Sequence, residues 1–147
     1  MSVQPRDPDF ERRVRASFGR QVAMQTLGIT MERVAPGEVE LMLPFRADLT
    51  QQHGFLHAGV VTAAADTACG YAALTLMETG VAVLSVEFKV QLLAPARGAR
   101  FVALGRVVKA GRTLTVVAGE VRSDDGQTVA LLNGTMMAVR DRPELLD

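Results

Sequence analysis

Apolar side chains at Phe10, Val14, Phe18 and Val22 recur every fourth position, while Arg12, Arg13 and Arg15 fall on other faces. That spacing predicts an amphipathic helix over residues 9–25, with Asp9 placed to cap its start and Gly28 to close it. Two short apolar runs, 29–34 and 39–43, flank Pro36-Gly37 and predict a hairpin. A polar stretch over 48–56 precedes a long apolar run, which predicts a helix over 58–78 ended by Gly80. Four segments rich in Val, Leu and Thr follow, broken at 95–98, 109–112 and 124–126, and predict consecutive antiparallel strands. The tail, 140–147, is expected to fray.

An antiparallel sheet of this kind buries one apolar face, and only the helix over 58–78 is long enough to cover it. The fold class expected is therefore α+β, with an antiparallel sheet wrapped around one long central helix. No internal repeat or linker divides the chain, so residues 1–147 are expected to form a single domain with a helical extension over 1–28.

Composition narrows the function classes. The chain has 147 residues, 16 basic against 16 acidic, and a hydrophobic content of 48%. The balanced charge gives no long-range attraction to nucleic acid or to an anionic membrane, so neither partner is expected. Cys69 is the one cysteine and there are two histidines. This composition excludes an internal disulfide framework, makes a metal centre improbable and suits a reducing cytoplasm. The first residues have no apolar signal core, and secretion is not expected. Residues 58–77 approach membrane-spanning length, but the run is built from Ala, Gly and Thr with Asp66 near its middle, and a central carboxylate is costly in hydrocarbon.

At 3.6 residues per turn, Val61, Ala64, Ala65, Ala68 and Ala72 form one stripe of the long helix, assigned to the sheet. A neighbouring stripe carries Gly59, Ala63, Asp66, Gly70 and Ala73. An isolated helix Asp is most often solvated or tied to a nearby hydroxyl. Here the small residues around it imply close approach by a partner helix or a substrate, and a carboxylate in apolar surroundings is costly unless used. The helix start, with His57, Ala58 and Gly59, gathers free N–H groups and the positive end of the helix dipole, which can polarise a carbonyl. Ordinary helix initiation explains that feature equally well on its own. Ala58 and Asp66 are separated by about 12 Å along one helix and cannot reach the same carbonyl. Two copies lying antiparallel across a two-fold axis would bring them together in two composite sites.

The run from Gln51 through His57-Ala58-Gly59 to Asp66-Thr67 resembles the signature of hotdog-fold acyl-CoA thioesterases of the phenylacetate-degradation (PaaI-like) type. That signature is an Asn or Gln, then a Gly pair, then an acidic residue seven positions on. The segment from Ser85 to Pro95-Ala96 is similar to the family's next strand, and with residues 109–112 the resemblance spans about 29–139. It implies that Asp66 activates water or attacks the thioester carbonyl, and that the Ala58 N–H of the opposing subunit polarises it. It further implies that Gln51 positions water or substrate, that Ser85 orients the water, and that His57 shapes the helix start. His53 and Gly59 border the substrate on this reading. Ala58 departs from the family's Gly, and its methyl narrows the approach to the carbonyl; Gln51 stands where many members have Asn.

The substrate implied is an aryl- or medium-chain acyl-CoA, hydrolysed by a homodimer or homotetramer. A thioester has a good leaving group, so one carboxylate and one aligned N–H donor suffice, and no metal or cofactor is expected. Arg97, Arg106, Lys109 and Arg112 could meet the phosphates of coenzyme A or be solvated surface charge. A non-catalytic acyl-CoA sensor of the same fold is the rival reading, and Asp66 counts against it. A hotdog dehydratase would need a His shortly after the acid, where this chain has Thr67, Ala68, Cys69, Gly70 and Tyr71. A purely structural oligomer would tolerate loss of Asp66. Cys69, mid-helix among apolar residues, is expected to be core and not a nucleophile.

Overall fold

A computed structural model describes residues 3–145 and 147. Helices α1 (Phe10–Gly19) and α2 (Val22–Leu27) lead into β1 (Thr30–Ala35) and β2 (Glu38–Pro44). A single 3-10 turn at Ala47–Leu49 precedes the central helix α3 (Ala58–Leu74), and β3 (Ala82–Leu92), β4 (Arg100–Ala110), β5 (Leu114–Ser123) and β6 (Thr128–Val139) complete the chain. The strands make one six-stranded antiparallel sheet in the order β1-β2-β4-β5-β6-β3. The last four strands are thus not spatially consecutive as the pattern suggested: β3 lies beside β6, at an edge. Among the described residues no helix is long and apolar enough to cross a membrane.

The sheet wraps α3 as the stripe predicts. Val61, Ala64, Ala65, Ala68 and Ala72 are all at most 3% exposed, and Val39, Leu41 and Leu43 face them from alternate positions of β2. Close contact depends on two glycines paired across β4 and β5, Gly105 and Gly119. A Cβ on Gly105 would stand 2.3 Å from the Ala68 carbonyl carbon, and one on Gly119 would stand 2.9 Å from Cys69 Sγ. The helix backbone therefore rests directly on the strands, and any side chain at Gly105 would lift it.

The helix boundaries differ from the sequence pattern for local reasons. The expected helix over 9–25 breaks at Arg20-Gln21, leaving Val22 68% exposed, while Val14 is fully buried. Asp9 occupies the cap position without a side-chain cap bond; Asp7 instead accepts the Asp9 N–H at 2.9 Å. The central helix stops at Leu74, short of 78. Thr75 there hydrogen-bonds sideways, donating to the Ala72 carbonyl and accepting from the Gly37 N–H, each at 2.7 Å. The freed carbonyls of Leu74, Met77 and Glu78 accept from the Arg13 guanidinium at 3.1, 2.8 and 2.6 Å. Arg13 and its ion-pair partner Asp7 are nearly enclosed, so α1 acts as a polar clamp on the end of α3. The tail is anchored too: Arg140 Nε donates to Glu78 at 2.8 Å, and Asp147 bonds Ser17 and Val83.

Candidate active site

Asp66 projects from the middle of α3 toward the inner face of β3, where the Ser85 hydroxyl donates to its Oδ1 at 2.7 Å. Met136 Sδ lies 3.3 Å from the same hydroxyl, across the β3–β6 pair. Pairing of β3 with β6 shifts register between Ser85 and Glu87. Such bulges concentrate at sheet edges beside functional sites, where they re-aim a side chain. Ser85 is thereby held on Asp66 at the free edge of the sheet. A cavity of about 120 Å³ opens here, with Gln21, Thr67, Gly70 and Tyr71 among its walls. Sequence reasoning placed Gly70 on the Asp66 stripe and gave Gln21, Thr67 and Tyr71 no role at the site. Thr67, Gly70 and Tyr71 lie within five residues of Asp66, but Gln21 arrives from the junction of α1 and α2, where its Oε1 faces the Thr67 hydroxyl at 3.5 Å.

The helix start forms a second centre. His57 is the N-cap, and its Nδ1 accepts the Gly59 N–H at 2.8 Å, so this imidazole nitrogen carries no proton. The Gly59 N–H is consumed, whereas the Ala58 N–H has no partner among the described residues. The cap thus leaves one donor aimed outward at the positive end of the helix. Gln51 Oε1 accepts the N–H groups of His53 and Phe55 at 2.6 and 3.3 Å, and the Gln51 N–H reaches the Phe55 carbonyl at 2.9 Å. Its side-chain oxygen therefore shapes the loop. Gln51 and Ala58 border an apolar cavity of about 390 Å³ walled by Phe55, Val61, Leu92 and Pro95. Arg97 stacks over the Phe55 ring, 4.6 Å from its centroid.

Of the residues singled out in the sequence, one chain brings together Asp66 with Ser85, and separately Gln51, His53, His57, Ala58 and Gly59, with Arg97 beside Phe55. Arg112 stands elsewhere, lining a cavity with Ala73 and Met77 at the far end of α3, and Lys109 is in the adjoining exposed segment. Arg106 is exposed on β4. Burial, then the nearby Asp66 charge, pushes the Cys69 thiol up to about 12, so it is protonated and inert at neutral pH. Among the described residues no three His, Cys, Asp or Glu side chains converge as metal ligands.

An antiparallel sheet wrapped around one long helix is the hotdog fold. Residues 53–130 match the family model of the thioesterase superfamily, and the chain belongs to that superfamily. It is a thioester hydrolase. A crystal structure of a thioesterase family protein from Silicibacter pomeroyi is 50% identical, with a TM-score of 0.86 over 89% of this chain and 98% of that one. A candidate esterase of Saccharolobus solfataricus is 32% identical across 78% of this chain and 76% of its own length. The PaaI protein from the phenylacetic acid degradation operon of E. coli shares the fold at 22% identity, with a TM-score of 0.83 over 89% of this chain and 94% of that one.

Proposed function

We propose that this thioesterase hydrolyses acyl-CoA esters, with an aryl- or medium-chain acyl group, at composite sites between two copies of the chain. The observation that carries the reading is the separation of the two half-sites. Asp66 with Ser85, and Ala58 with Gln51, open into different cavities of one chain and are about 12 Å apart along α3. Antiparallel pairing of two α3 helices would set the Ala58 N–H of one copy opposite Asp66 of the other. The free edge of β3 supports such pairing: Val86, Phe88 and Leu92 are 52%, 42% and 56% exposed along it, an unpaired apolar edge that proteins normally cover.

In this site the carbonyl oxygen accepts from the Ala58 N–H, which stabilises the charge that develops there. Asp66 acts on the carbonyl carbon, as base for an attacking water or as the attacking oxygen itself, with Ser85 holding its orientation. Collapse of the tetrahedral adduct breaks the C–S bond. The thiolate of coenzyme A leaves and takes up a proton, and the acyl group departs as a carboxylate after water has supplied its second oxygen. No metal or cofactor enters these steps. Phe55 and Arg97 stand at the mouth of the Ala58 cavity, suited to the pantetheine arm and a phosphate.

Subunit complementation tests the reading. Proline is tolerated in the first turn of a helix and lacks only the N–H, and His57 already has the extended backbone (φ −61°, ψ 136°) that precedes proline. Ala58→Pro should therefore lower kcat about 10²-fold with the fold intact, and Asp66→Asn should lower it by roughly 10²–10⁴. Co-expressed as a heterodimer, the two variants rebuild one intact site, and thiol release from phenylacetyl- or octanoyl-CoA should rise far above either parent. A heterodimer no more active than its parents would overturn the composite site.

A further inference from the structure

The position of Asp147 has no part in the hydrolysis described above. Its carboxylate accepts from the buried Ser17 hydroxyl at 2.7 Å and from the backbone N–H of Val83, on the edge strand, at 2.9 Å. The Ser17 oxygen is also 3.1 Å from the Tyr71 hydroxyl. A short polar chain thus runs from α3 through α1 to β3, and Asp147 joins its last two members.

This side chain stands between two cavities. On one side is the space of about 120 Å³ at Asp66, on the other a charged groove of about 530 Å³ walled by Asp7, Asp9, Arg12, Arg13 and Arg20, and among the described residues Asp147 lines both. We infer that Asp147 is the partition that limits acyl-chain length, closing the Asp66 cavity against the larger groove behind it. The inference rests on the hydrolytic reading of Asp66, because only then does the cavity beside it receive the acyl group.

Two effects act in the same direction. An acyl chain that outgrows the cavity meets the Asp147 side chain sterically. An apolar chain pressed against that carboxylate would also strip its hydrogen-bond partners and water without replacing them, a cost that rises steeply for a charge. With a small side chain at this position the two spaces would merge, and a longer chain would gain the volume that the carboxylate now fills. Ser17 keeps its Tyr71 partner when the carboxylate is removed, while the Val83 N–H loses its acceptor, so the thermal melts are read beside the kinetics.

The test is kcat/KM for straight-chain acyl-CoAs from acetyl to lauroyl, measured on wild type, Asp147→Ala and Asp147→Asn, each with its thermal melt. Wild type should show a steep fall beyond the chain length that the Asp66 cavity accepts. Asp147→Ala should raise kcat/KM for the longest chains roughly 10-fold or more and leave acetyl- and propionyl-CoA unchanged. Asp147→Asn, which keeps the shape and removes the charge, should relax the limit less than alanine does. Superimposed wild-type and alanine profiles would overturn the partition alone. Extension by the asparagine variant equal to that by alanine would overturn it as well, leaving charge as the cause. No thiol release by wild type from any ester would remove the hydrolytic reading and this inference together.

Discussion

Ser85 and Asp66 make the most informative pair of single residues. The hydroxyl has one proton to give and donates it to Asp66 Oδ1 at 2.7 Å, which on the proposed mechanism fixes the oxygen that acts on the thioester. Ser85→Ala should leave KM near its wild-type value and lower kcat about tenfold, the equivalent of one hydrogen bond of about 1.4 kcal/mol to a charged group. Steady-state kinetics on one acyl-CoA reads the split directly, and an unchanged kcat would remove Ser85 from the mechanism. Asp66 was legible in the sequence because it is the charge interrupting a run of small apolar residues. The capping by His57 was less so, since a lone His looks the same whether it caps, packs or points to water. Gln51 carries two duties that no spacing shows, tying its own loop and bordering the Ala58 cavity.

At the scale of elements, the close fit of α3 on the sheet follows from paired glycines that periodicity cannot weigh. Gly105 looks like a weak point in an apolar strand, yet it is where the helix backbone sits. Gly105→Ala should destabilise the protein by about 1–3 kcal/mol, the usual cost of forcing atoms into a filled core. A thermal or urea melt measures it, and an unchanged midpoint would mean the sheet flexes freely beneath the helix. The two helix-end errors have a common origin. Residues 75–78 and 20–21 carry helix-compatible side chains, but their backbone groups are satisfied differently, by the distant Arg13 in the first case and by local turn bonds into α2 in the second. Propensity decides such ends only where nothing else competes.

For the whole molecule, the edge position of β3 is the main consequence of the topology. It leaves Val86, Phe88 and Leu92 exposed beside Asp66 and Ser85, the edge across which we propose that a second copy pairs. Phe88→Lys should shift the protein to monomers in sedimentation velocity and abolish thioesterase turnover, while far-UV circular dichroism stays the same. Monomers with wild-type kcat would sink the composite site; dimers that persist would place the interface elsewhere.

What the residues determined by themselves is the α+β plan, the long helix, its sheet-facing stripe and the carboxylate on the neighbouring stripe, because each depends on local periodicity or on a charge out of place among its neighbours. Only the tertiary structure decided the strand order, the ends of the helices, the cavity beyond Asp66 and the docking of Asp147. Those features depend on which distant segments meet. Ser17 and Asp147 are brought together across 130 positions of chain, and no periodicity within an element records such a contact.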